Sequence, residues 1–86
     1  MDKSIWTSEY AVLLELLREA REASRLTQVE LAEKIGQSQS FVSKIEIGER
    51  RLDLIQLRSI CLMLGTDLPT FVAQLEKRLG KKKKRE

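Results

Sequence analysis

The sequence predicts an all-α fold, five short helices packed around one core. Three observations predict it. Apolar residues recur at helical spacing in five separate runs. The four glycines, Gly36, Gly48, Gly65 and Gly80, each follow such a run, where a residue that takes the left-handed conformation without penalty closes a helix. No segment alternates apolar with polar residues between hairpin signals.

Each helix has its own local justification. The first runs from Ser8 to Ser24, with Tyr10, Leu13, Leu14, Leu17 and Ala20 in one stripe. Thr27 and Glu30, at capping-box spacing, open the second helix, Gln28–Ile35, which Leu31, Ala32 and Ile35 line. Ser38, a good N-cap type, begins the third, Ser38–Ile47, with Val42 and Ile45 inward. Asp53 with Gln56, a looser capping box, opens the fourth, whose stripe is Leu54, Leu57, Ile60, Cys61 and Leu64. Asp67 opens the last helix. Pro69 falls in its first turn, where a missing N–H costs little, and Leu68, Phe71, Val72, Leu75 and Leu79 form its stripe. This reading divides the chain into an N-terminal extension (1–7), one domain (8–80) and a basic, disordered tail (81–86).

At 86 residues the chain is one small domain, and 42% apolar residues exclude a disordered chain. Cys61, the single cysteine, excludes an internal disulfide and reads as a buried thiol. No stretch approaches the ~20 apolar residues of a membrane span, and no secretory signal opens the chain, so a cytoplasmic location is expected. The net charge of +3 suggests nucleic acid, but its distribution does not support that argument. Five of the 16 basic residues and one of the 13 acidic ones lie in Lys81–Glu86, which leaves residues 1–80 with 11 basic against 12 acidic. Any case for nucleic-acid binding therefore rests on local residues.

Those residues lie between Thr27 and Ile47. Two short helices meet across a turn that holds Gly36, with small Ala32 where they must approach closely. Leu31, Ile35, Val42 and Ile45 form an apolar underside that fixes their angle, and the outer face of the second helix is polar: Gln39, Ser40, Ser43 and Lys44. This is the pattern of a bihelical unit that offers its second helix to the major groove. The segment LTQVELAEKIGQSQSFVSKIEIGERRLDLIQLRSICLMLG, residues 26–65, resembles the lambda-repressor-like (XRE-type) helix-turn-helix family. Thr27-Gln28, Leu31-Ala32, Gly36, Val42-Ser43, Ile45-Glu46 and Gly48 carry the match, and weaker similarity extends from about Tyr10 to Arg78.

The resemblance implies a compact five-helix lambda-repressor-like bundle that binds double-stranded DNA as a bacterial or phage transcriptional regulator, a repressor or autoregulator. Gln39 and Ser40 then fall where the family reaches base edges, and a Gln amide suits a bidentate pair with adenine. Lys44, on the same face, suits guanine or a phosphate. Gln28, Ser38, Ser43, Arg50 and Arg51 take backbone contacts, Ser38 being equally plausible as a pure cap. Phe41 either touches a thymine methyl or packs beneath the next helix. Arg21 and Glu46 occupy positions that pair as an inter-helix salt bridge in several family members, the competing reading being an exposed Arg21 that pairs locally with an acidic neighbour.

Family members usually bind as two-fold dimers on a palindromic operator, so a homodimer is expected. Val12 and Leu16 lie off the main stripe of the first helix, and Ile5 and Trp6 precede it. Trp6, Phe71, Leu75 and Leu79 are the interface candidates, with Trp6 alternatively a lid on the core. The Lys run is a solubilising tail, an arm that grazes DNA, or the start of something longer. The sequence has no His, no phosphate-cradling glycine loop and no ligand cluster, so no enzyme, metal, cofactor or small-molecule ligand is expected. The competing reading is a protein-interaction module or antitoxin-type adaptor that uses the same fold; the polar face of the third helix argues against it.

Overall fold

The computed structural model describes residues 8–82, with side chains described as far as residue 80. Within these bounds five helices follow one another: α1 (Glu9–Ala23), α2 (Gln28–Ile35), α3 (Gln39–Glu46), α4 (Leu54–Met63) and α5 (Leu68–Lys82). Trp6 and residues 83–86 of the tail lie outside the described residues.

The starts are set by side chains. Thr27 Oγ1 accepts from the Glu30 backbone N–H at 3.1 Å and Glu30 Oε1 accepts from that of Thr27 at 2.9 Å, a closed capping box. Asp53 and Gln56 form a second full box, tighter than the sequence spacing suggested. Asp67 Oδ1 accepts from Thr70 N–H at 2.9 Å at the start of α5. The Thr70 hydroxyl first, and then this backbone bond, hold the Asp67 carboxyl below its usual pKa.

The ends share one motif. After α2, Gln37 N–H bonds back to Ala32 O and Gly36 N–H to Glu33 O, with Gly36 at φ +70°, the paired bonds of a Schellman cap. Gly48 and Gly65 close α3 and α4 in the same way. At the end of α1 the motif recurs without a glycine. Leu26 N–H bonds to Arg21 O and Arg25 N–H to Glu22 O, and Arg25 itself takes φ +61°. Gly80 departs from the expectation in the opposite sense, because α5 runs through it to Lys82.

Leu16, Leu17, Leu31, Ala32, Val42, Ile45, Leu57, Ile60, Cys61, Leu64 and Phe71 are buried and form one core. Three expectations need correcting against it. Leu16, off the predicted stripe, is 5% exposed, because α1 packs against both α3 and α5 and so buries a wider arc than one stripe. Phe71 is 1% exposed and fills the centre of the chain's own core, which removes it from the dimer-interface candidates. Truncating it to Ala would cost about 3–5 kcal/mol. Leu54 points outward and is 62% exposed, since the buried arc of α4 is centred on Leu57, Ile60, Cys61 and Leu64. Cys61 has no exposed surface, and burial pushes its thiol pKa up, as expected of an inert structural thiol.

Two polar contacts tie the frame together at its edges. Ser24 Oγ donates to Leu64 O at 2.8 Å, joining the end of α1 to the end of α4. Arg78 Nη2 meets Glu19 Oε1 at 2.6 Å between α5 and α1, an exposed pair that contributes little to stability but lowers the Glu19 pKa.

Candidate nucleic-acid interface

The pair α2–α3 is built from the inside outward. Ala32, 2% exposed, lets the two helices approach, while Leu31, Val42 and Ile45 seal the underside. Gly36 reverses the chain, and Ser38 starts α3 by accepting from Phe41 N–H at 3.2 Å. A hydroxyl that accepts still has its proton to donate. α3 is therefore held on its buried face and at its first turn, with Gln39, Ser40 and Lys44 exposed on the other side and Ser43 half-buried.

A line of side chains crosses the unit from α1 to the first residue of α3. Arg21 Nε donates to Glu46 Oε2 at 2.7 Å and Nη2 to Oε1 at 3.1 Å, so the pair is bidentate. Nη1 donates to Leu26 O at 2.8 Å and fixes the turn that leads into α2. The two side chains are 11% and 5% exposed, and the carboxylate holds the guanidinium pKa above its usual value. Glu46 Oε1 also accepts from Gln28 Nε2 at 2.9 Å, and Gln28 Oε1 accepts from Gln39 Nε2 at 2.8 Å. The orientation of the exposed Gln39 amide is thus set by a buried charge two side chains away. The Gln39 Oε1 atom and its second N–H stay outside this line.

The chain matches the helix-turn-helix family model over residues 17–71. Among solved structures it is similar to an XRE-family like protein from Pseudomonas syringae pv. tomato str. DC3000. The two are 47% identical, with 88% of this chain and 93% of that one covered and a TM-score of 0.81. A comparison with curated proteins finds no match.

The chain belongs to the XRE-type helix-turn-helix family.

Members of this family are DNA-binding regulators and not enzymes. Among the described residues of this XRE-type chain no helix is long and apolar enough to cross a membrane. Of the residues singled out in the sequence, hydrogen bonds join Gln28 to Gln39 and to Glu46, and Glu46 to Arg21. Arg50 lies beyond α3 with its guanidinium 4.7 Å above the centre of the Phe41 ring. Phe41 is half-buried against the core, so packing wins over an exposed contact face. Arg51 stands 5.5 Å over the Tyr10 ring on α1. Cation–π contacts of this kind are worth about 0.5–1 kcal/mol at exposed sites and hold a flexible side chain in place.

Gln28 is the residue whose place the sequence did not suggest. Both atoms of its amide are engaged inside the protein, which leaves one amide N–H for a phosphate. The only signal available was two Gln residues, each at the first position of its helix. Nothing in their separation of 11 residues shows that they touch. Leu75 and Leu79 are half-buried along α5, Leu75 packed against the core.

Proposed function

We propose that the chain is a sequence-specific double-stranded DNA-binding transcriptional regulator, a repressor or autoregulator, that binds a palindromic operator as a homodimer with α3 in the major groove. The observation that carries the reading is the line Arg21–Glu46–Gln28–Gln39. A Gln amide presents a donor and an acceptor that are easily interchanged. Committing one Gln39 N–H to Gln28 fixes which end is which, and the remaining donor and acceptor then match N7 and N6–H of adenine. An exposed residue with only a solvating role would have no use for such support.

Ser40 and Lys44 extend the reading face, Lys44 toward guanine or a phosphate. Ser38, Ser43, Arg50, Arg51 and the second N–H of Gln28 hold the backbone. Such contacts set register and salt dependence without carrying sequence information. The polar α3 face argues against the adaptor reading, because a protein-docking face would be more apolar.

Selection from random duplex DNA tests the proposal. The expected outcome is a palindromic site with half-site centres one helical turn apart. No enrichment at low salt would overturn it. Gln39→Ala should cost about 1–3 kcal/mol and relax one base position. Gln28→Ala should relax the same position more weakly, and Arg51→Ala should weaken all sequences alike. Identical uniform losses for all three would refute the base-reading role of Gln39.

A further inference from the structure

α4 is apolar on both sides. Its inner arc, Leu57, Ile60, Cys61 and Leu64, is buried in the core. Its outer arc carries Leu54, Ile55, Leu62 and Met63, which are 62%, 69%, 45% and 41% exposed. At about 100° per residue, Ile55 and Leu62 form a central ridge with Arg58 on one flank and Ser59 on the other. A helix that is apolar all round is normally covered all round. No described element covers this face.

We propose that the outer face of α4 is where a second copy of this chain docks. Four observations favour that occupant. The four residues expose on the order of 400 Å², mostly apolar, the size of the largest patch on an ordinary monomer, which is often functional, and about half of what each partner gives a stable interface. The face carries one charge, Arg58, at its flank, so two copies meet across a two-fold axis ridge to ridge without burying opposed charges at the centre. On α5, the alternative expected from sequence, Phe71 is consumed by the core and Leu75 packs against it. Finally, one edge of α4, Gln56 and Ser59, lines a shallow recess with Ile35, Gln37 and Phe41, so a partner seated here adjoins the helix-turn-helix directly. This inference rests on the dimeric reading above and assigns its surface.

Sedimentation of the full chain with the Ile55→Glu variant is the test. An acidic residue in the first turn of α4 is compatible with the helix, and circular dichroism checks that the fold persists. The expected result is a wild-type dimer and a folded variant whose dimer dissociation constant rises about 100-fold, because the two-fold axis places the change in the interface twice. Ser59→Cys should in turn give a covalent dimer with a short thiol crosslinker, while wild type, whose Cys61 is buried, should not. An unchanged dimer for Ile55→Glu, or loss of the dimer only in a Leu79→Glu variant or on removal of residues 1–7, would overturn the α4 assignment and leave dimerisation standing. A monomeric wild type that still selects a DNA site would overturn the α4 assignment together with dimerisation, but not DNA reading.

Discussion

Replacing Arg21 by Met should destabilise the fold by about 3 kcal/mol, and then replacing Glu46 by Leu as well should restore most of that loss. The magnitude follows from what each change leaves behind. Arg21→Met removes the bidentate pair and the bond to Leu26 O, and leaves a Glu46 carboxylate that is 5% exposed with one remaining donor, Gln28 Nε2. Breaking a buried pair by removing one partner costs about 3–5 kcal/mol, most of it from the uncompensated charge. The Arg21 end of this pair is 11% exposed, so some water reaches it and the low end of the range applies. The total stability of a domain this size is about 4–13 kcal/mol, so the single variant stays folded but its urea midpoint falls by roughly 2 M, with an m value near 1–1.5 kcal/mol/M. In Arg21→Met/Glu46→Leu no buried charge is left unpaired, and the cost against wild type should be near 1 kcal/mol. The assay is urea unfolding followed by circular dichroism, compared at unchanged m. A single variant that loses less than 1 kcal/mol, or a double variant less stable than the single, would refute the reasoning. The double variant should nonetheless lose selectivity at the base position proposed for Gln39, because Gln28 no longer has its anchor.

Three further outcomes follow from the backbone and from titration. Arg25→Gly relieves a left-handed residue at φ +61° and should raise stability by about 0.5–1 kcal/mol, read as a higher urea midpoint; an equal loss would mean that the flexibility gained by the unfolded chain dominates. Gly48→Ala should cost about 1–2 kcal/mol, since φ is +84° and the new Cβ would stand 3.3 Å from Leu14 Cδ1; thermal unfolding checks it, with an expected fall of several degrees. Glu19 and Asp67 both have lowered pKa values in the folded state, chiefly through the hydrogen bonds from Arg78 and Thr70. Their contribution is therefore fully present above the unfolded carboxylate range and is lost as pH falls below about 4. Asp67→Asn should flatten the acid limb of stability against pH, and an unchanged limb would contradict the assignment.

The local grammar of the chain was legible from the residues alone. Thr27-Glu30, Asp53-Gln56 and Asp67 start helices because their side chains reach a backbone N–H three residues on, a bond between near neighbours. Gly36, Gly48 and Gly65 end them because they take positive φ without strain. The α2–α3 unit could be read for the same reason: its turn, its small Ala32 and its polar face lie within about twenty consecutive residues. Where the rule relied on residue type rather than on neighbours it failed, as at Arg25, which adopts the glycine conformation, and at Gly80, which sits inside a helix.

What only the tertiary structure decided is which faces meet. Spacing shows that Leu16 and Val12 share a side of α1, but not that α3 and α5 together cover Leu16. It places Phe71, Leu75 and Leu79 in one stripe, but not that the core takes Phe71 outright. It puts Leu54 in one stripe with Leu57, Ile60, Cys61 and Leu64, and only packing shows that Leu54 stands on an open face with Ile55, Leu62 and Met63. The line from Arg21 through Glu46 and Gln28 to Gln39 draws on three helices and a span of 25 residues. Hydrogen bonds at that distance depend on how helices pack, and periodicity along one helix carries no information about its neighbour's position.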